Sequence, residues 1–133
     1  MAWDMYQEII LQHYRNPRNF GPLEGATMAG EEFNPSCGDH ITLRLKVDPN
    51  DHKVTEVRFE GDGCAISVAG ASMLTERLVG RTLEEVSQIT REDMLKWIGI
   101  PLSPVRIKCA LAGFSALGKA LHPKPSPSPP PAA

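Results

Sequence analysis

This sequence has few cysteines, little net charge, no long apolar run and no internal repeat, and each shortage narrows what the chain can be. Three of its 133 residues are cysteine. So small and odd a number suits a reducing compartment, where thiols serve as ligands or nucleophiles more than as disulfide partners. The 14 Lys and Arg and 16 Asp and Glu are interleaved and leave a formal net charge of −2. No basic patch therefore offers itself to nucleic acid. No apolar stretch is long enough to cross a bilayer, and no cationic start followed by an apolar run marks a secretory signal. These readings predict a cytoplasmic protein with neither nucleic-acid nor membrane partners.

What is present reads as one small domain over residues 1–121 and a tail, 122–133. The tail is proline- and serine-rich with no apolar periodicity, and is expected to be disordered or polyproline-like. At the other end, Asp4 to Tyr14 predicts a helix capped by Asp4, with Tyr6, Ile9, Ile10 and His13 near helical spacing. Asn16-Pro17 ends it, and residues 15–25 form a loop.

A weak strand signal over 26–33 is followed by a clear one over 41–47, where Ile41, Leu43, Leu45 and Val47 alternate with polar residues. Asp48-Pro49-Asn50-Asp51 supplies a turn, and alternation resumes from Val54 to Glu60, which predicts an antiparallel hairpin with one solvated face. Helices must cover the other face. Ala65 to Val79 is expected to be helical, with Ile66, Ala69, Met73, Leu74 and Leu78 facing inward and Gly80 terminating it. Thr82 with Glu85 and Thr90 with Asp93 read as capping boxes of two short helices. A last helix, with Leu111, Phe114, Leu117 and Leu121 in register, runs to about Leu121 from a start between Pro104 and Cys109. Strands first and helices after make the fold class α+β: a small antiparallel three-stranded sheet covered on one face by helices.

The cysteines occupy Asn34-Pro35-Ser36-Cys37-Gly38-Asp39, Gly61-Asp62-Gly63-Cys64 and Arg106-Ile107-Lys108-Cys109. In an extended segment Cys37 and Asp39 project to one side, and Gly38 permits close approach. A helix start at Cys64, and cations beside Cys109, favour thiolate over thiol. Cys37, Asp39, Cys64 and Cys109 thus make a candidate four-ligand site suited to zinc or an iron–sulfur centre, with Asp39 the weakest ligand. The bland alternatives are buried structural thiols and a turn aspartate. His40 should point away from the site, His13 and His122 read as structural or exposed, and His52 lies in a turn.

These motifs, with Gly61-Asp62-Gly63-Cys64-Ala65-Ile66-Ser67, Pro104-Val105-Arg106-Ile107-Lys108-Cys109 and Tyr14-Arg15-Asn16-Pro17-Arg18-Asn19, resemble the IscU/SufU family of iron–sulfur cluster assembly scaffolds, related to the N-terminal part of NifU. The resemblance implies a SufE/NifU-like fold and a protein that accepts sulfur from a cysteine desulfurase, binds iron, or zinc, assembles a transient [2Fe–2S] cluster and hands it to apo-proteins. It implies that Cys37, Asp39, Cys64 and Cys109 hold the metal or cluster, that the aspartate keeps the cluster labile, and that Cys37 or Cys109 takes the persulfide. It also implies an N-terminal helix that contacts the sulfur donor.

Two departures matter. Lys108 stands where the IscU branch has a metal-binding histidine, as in the SufU branch, yet the interval from Cys64 to Cys109 lacks the SufU insertion. The Leu-Pro-Pro-Val-Lys motif that an Hsp70-type chaperone reads in IscU is here Leu102-Ser103-Pro104-Val105-Arg106. The alternative function is a zinc-dependent sulfur carrier of the SufU type that relays persulfide without holding a cluster; a third is a structural zinc domain. Cys37, beside the displaceable Asp39, is the favoured acceptor, and Cys64, behind its glycine turn, the least suited.

Overall fold

Residues 2–34 and 38–122 are described by a computed structural model, the first five by their backbone alone. Cys37 and the tail from 123 onward lie outside the described residues.

The alternating stretches form one antiparallel sheet in the order β1-β2-β3: β1 is Met28–Asn34, β2 Asp39–Val47 and β3 Val54–Asp62. Leu43 pairs with Gly30 on one side and Phe59 on the other, so the apolar residues of β2 stay on a single face. Ile41, Leu43, Leu45, Val57 and Phe59 are buried completely there. The hairpin slips by a bulge between Lys46 and Val47. The outer edge of β3 is covered by the loop after the first helix: Gly21 donates to the Phe59 carbonyl, and Phe59 donates to the Asn19 carbonyl.

The predicted first helix is α1, Ala2–Arg15. It begins earlier than expected, which puts Asp4 in its first turn instead of at its cap. It docks on α2, Ala65–Glu76, through His13, whose Nδ1 lies 2.7 Å from the buried Ser72 hydroxyl. That hydroxyl also accepts the Arg18 backbone N–H, and Arg18 pairs with Glu76.

α2 departs from the expectation of an inward stripe. Nine consecutive residues, Ser67 to Thr75, are buried. A helix buried all round must be packed on several sides, and small residues allow it: a Cβ on Gly70 would lie 2.8 Å from the Ala110 carbonyl oxygen, and one on Gly113 3.0 Å from Ala71. The helix also closes earlier than predicted, at Arg77, before a turn in which Gly80 (φ +87°) redirects the chain.

Both capping boxes form, on α3 (Leu83–Ser87) and α4 (Arg91–Ile98), and Gly99 ends α4 in the left-handed conformation. The single last helix is instead two. Ser103 caps α5, Pro104–Ala110, with Pro104 in its first turn, and the helical path breaks at Leu111 before α6, Ala112–Leu121. α6 lies against β1 at Gly30, and with α2 it covers the apolar face of the sheet. The fold class is therefore as expected, α+β with one helix-covered face.

Candidate metal centre

The site lies where the start of β2, the start of α2 and the end of α5 meet. Asp39 opens β2 and is wholly buried. Ahead of it the chain turns rather than extends: Gly38 has φ +74°, and its N–H donates to the Asn34 carbonyl at 2.9 Å. The premise of an extended segment is thus corrected at Gly38, while Cys37 itself lies outside the described residues. Gly61 (φ +141°) admits the His40 carbonyl oxygen within 1.8 Å of where a Cβ would stand, so β3 can pass the start of β2 closely and deliver Cys64 to Asp39.

Cys64 is the N-cap of α2, as predicted, with extended φ −72° and ψ 170°. It is half-buried, and burial alone would push its thiol up. Hydrogen bonds from the Ser67 backbone, the Cys109 side chain, the Ser67 hydroxyl and the Ile66 backbone outweigh that and hold it below its ordinary value. Cys109 is buried in the last turn of α5, not at a helix start, while Arg106 and Lys108 on the same helix are exposed. Lys108 lines a groove with Glu32, Phe33, Asn34 and Leu111.

A carboxylate oxygen of Asp39 and the sulfurs of Cys64 and Cys109 all lie within 4.8 Å of one another. Two thiols and a carboxylate suit zinc, whose bonds to sulfur and oxygen are about 2.3 and 2.1 Å. The geometry of Asp39 supports the fit. Its Oδ1 accepts the Cys64 N–H and the Ser67 hydroxyl, both at 3.1 Å, whereas its Oδ2 is buried with no hydrogen-bond partner among the described residues. A buried carboxylate oxygen left so is costly, and a cation beside it removes the cost. Thus three of the four predicted ligands are together; the fourth, Cys37, lies outside the described residues.

The histidines take no part. His40 is turned to the far side of β2, where it bonds Glu31 and meets the Phe33 ring edge-on. His13 belongs to the α1–α2 contact, and His52 holds the hairpin turn at φ +60°. Ser67 escaped sequence reasoning. Its signal was a lone hydroxyl in the otherwise apolar first turn of α2, three residues after the cap.

The family model described as NifU-like N terminal domain matches residues 5–124. The iron-sulfur cluster assembly scaffold protein IscU of Aquifex aeolicus is 37% identical over 87% of this chain and 73% of its own. The zinc-dependent sulfurtransferase SufU of Bacillus subtilis is 35% identical over 86% of this chain and 88% of its own. Among solved structures, a SufU from Fervidobacterium islandicum, described as an iron-sulfur cluster assembly scaffold protein for the SUF system, superposes with a TM-score of 0.74 at 28% identity, over 86% of this chain and 94% of the other.

Proposed function

We propose, because this chain belongs to the family of NifU-like N-terminal domains, that it is an iron–sulfur cluster assembly scaffold: it accepts sulfur from a cysteine desulfurase, gathers iron, holds a transient [2Fe–2S] cluster as its cargo and passes it to apo-proteins. The observation that carries this reading is the orphaned Oδ2 of Asp39, buried beside two thiols one of which is biased toward thiolate. Cys37 is the fourth ligand in this reading, on the ground of its position two residues before Asp39. Zinc, when bound in place of cargo, supplies a Lewis-acidic centre that keeps its thiol ligands deprotonated.

Sulfur reaches the protein by attack of a thiolate on the outer sulfur of the donor's persulfide. The new S–S bond forms to the acceptor, the donor's S–S bond breaks, and its electron pair leaves on the donor cysteine as thiolate. Cys37 is the acceptor of choice, since Cys109 is buried and Cys64 caps α2. The recipients are apo iron–sulfur proteins. Of the stretch that stands where a chaperone motif would, Val105 is exposed on the first turn of α5.

Lys108 supports a second reading. A lysine in place of a metal-binding histidine, with the likeness to a zinc-dependent sulfurtransferase, fits a protein that relays persulfide while zinc stays in place. Elemental analysis tests the ligand set common to both: about one metal per chain is expected, from a site of roughly four ligands. Unchanged stoichiometry in Cys64→Ser, Cys109→Ser protein would overturn it.

A further inference from the structure

Ser67 is buried completely, yet its hydroxyl serves no helix cap and lies outside the four ligands. Its Oγ stands 3.1 Å from Asp39 Oδ1 and 2.9 Å from the Cys64 carbonyl oxygen. The Cys64 thiol is a third acceptor within its reach; the one hydroxyl proton goes to the carboxylate, where the bond is charge-assisted, and the carbonyl and thiol are left to other donors. Only a glycine admits this arrangement beside it: a Cβ on Gly63 would fall 2.2 Å from this Oγ and 2.7 Å from Asp39 Oδ1. The Cys64 N–H reaches the same carboxylate oxygen from the backbone.

We infer that Ser67 is a positioning residue for Asp39: with the Cys64 N–H it pins Oδ1, so that Oδ2 alone is presented to a metal and the carboxylate binds through one oxygen. The inference rests on the metal-binding reading above and assigns it a residue. The physical reason is pre-organisation. A buried carboxylate free to rotate could turn either oxygen, or both, towards the sulfurs. Two donors converging on one oxygen fix the rotation before the metal arrives, and hydrogen bonds of this kind to a ligating group typically alter metal affinity 10–100-fold. Off the metal the carboxylate keeps both donors on Oδ1, which offsets part of the cost of its burial while Oδ2 stays unsatisfied.

The test is zinc affinity, measured by competition with a chromophoric chelator, in Ser67→Ala, Asp39→Ala and the double variant, with the visible spectrum of the cobalt-substituted proteins as a readout of the ligand set. Ser67→Ala should lose affinity about 10–100-fold and shift the cobalt spectrum, while adding nothing on the Asp39→Ala background. Asp39→Asn gives a second, independent arm that leaves Ser67 intact. Both donors should claim the amide oxygen, turning its NH2, which has no lone pair to offer, towards the metal, so that Asp39→Asn binds no better than Asp39→Ala. The inference is overturned if Ser67→Ala binds zinc as the parent does, if its loss persists without Asp39, or if Asp39→Asn clearly outperforms Asp39→Ala. Should Asp39→Ala itself bind zinc like the parent, it is the ligand assignment that fails instead. Circular dichroism of the metal-free proteins separates unfolding from these outcomes.

Discussion

Asp39 Oδ1 accepts the backbone N–H of Cys64 at 3.1 Å, so the first residue of β2 supplies the acceptor for the capping residue of α2, which has no side-chain cap of its own. The same carboxylate keeps a bare oxygen in the core. Its burial opposes folding until a cation arrives, and binding to the folded state alone stabilises it by about 2.7 kcal/mol at a free metal concentration of 100 times Kd. Thermal unfolding should therefore show a clear rise in the parent's Tm with added zinc, and a much smaller rise in Asp39→Ala at the same concentration.

Gly30 sets how closely β1 approaches α6. A Cβ there would lie 2.0 Å from the Ala116 carbonyl oxygen and 2.5 Å from the Ala120 nitrogen, both backbone atoms that cannot step aside. Gly30→Ala should cost about 3 kcal/mol in denaturant unfolding, as overpacking of a closed interface does. A cost near zero would mean that the strand and helix are not held at this distance.

Acid should loosen α1. Burial holds His13 below its ordinary 6.5, partly countered by Glu76, with Arg18 and Arg77 adding to the lowering. A base with a lowered folded pKa binds fewer protons folded than unfolded, so its contribution to stability is present above 6.5 and is lost as pH falls through the lower folded value. Amide exchange in α1 should accelerate relative to the sheet as the pH drops from 7.5 to about 5, and His13→Gln should flatten that dependence.

Local chemistry made much of this legible in the sequence. Thr82 with Glu85, and Thr90 with Asp93, carry both halves of a capping box within four residues, and both boxes form. The alternation in β2 and β3 predicted their pairing, and three of the four proposed ligands meet. What was missed depends on packing between distant segments. The break at Leu111 has no glycine or proline to mark it, and the burial of α2 on every side follows from its contacts with α1, α5, α6 and the sheet. The role of Ser67 depends on a partner 28 residues away.

The sulfur acceptor is open to direct mapping. Brief exposure to desulfurase and cysteine, followed by alkylation and peptide mass spectrometry, should find the added sulfur chiefly on Cys37. Sulfur chiefly on Cys109 would reverse the assignment and require α5 to open, because Cys109 is only 2% exposed.

The scaffold reading itself is tested by anaerobic reconstitution with ferrous iron, cysteine and a desulfurase, followed by mixing with an apo-ferredoxin. The account predicts a [2Fe–2S] chromophore on this protein that decays as the ferredoxin's own appears, and that fails to form when Cys64 and Cys109 are both serine. Persulfide relay with zinc retained throughout, and no chromophore at any stage, would contradict it in favour of the zinc-dependent carrier.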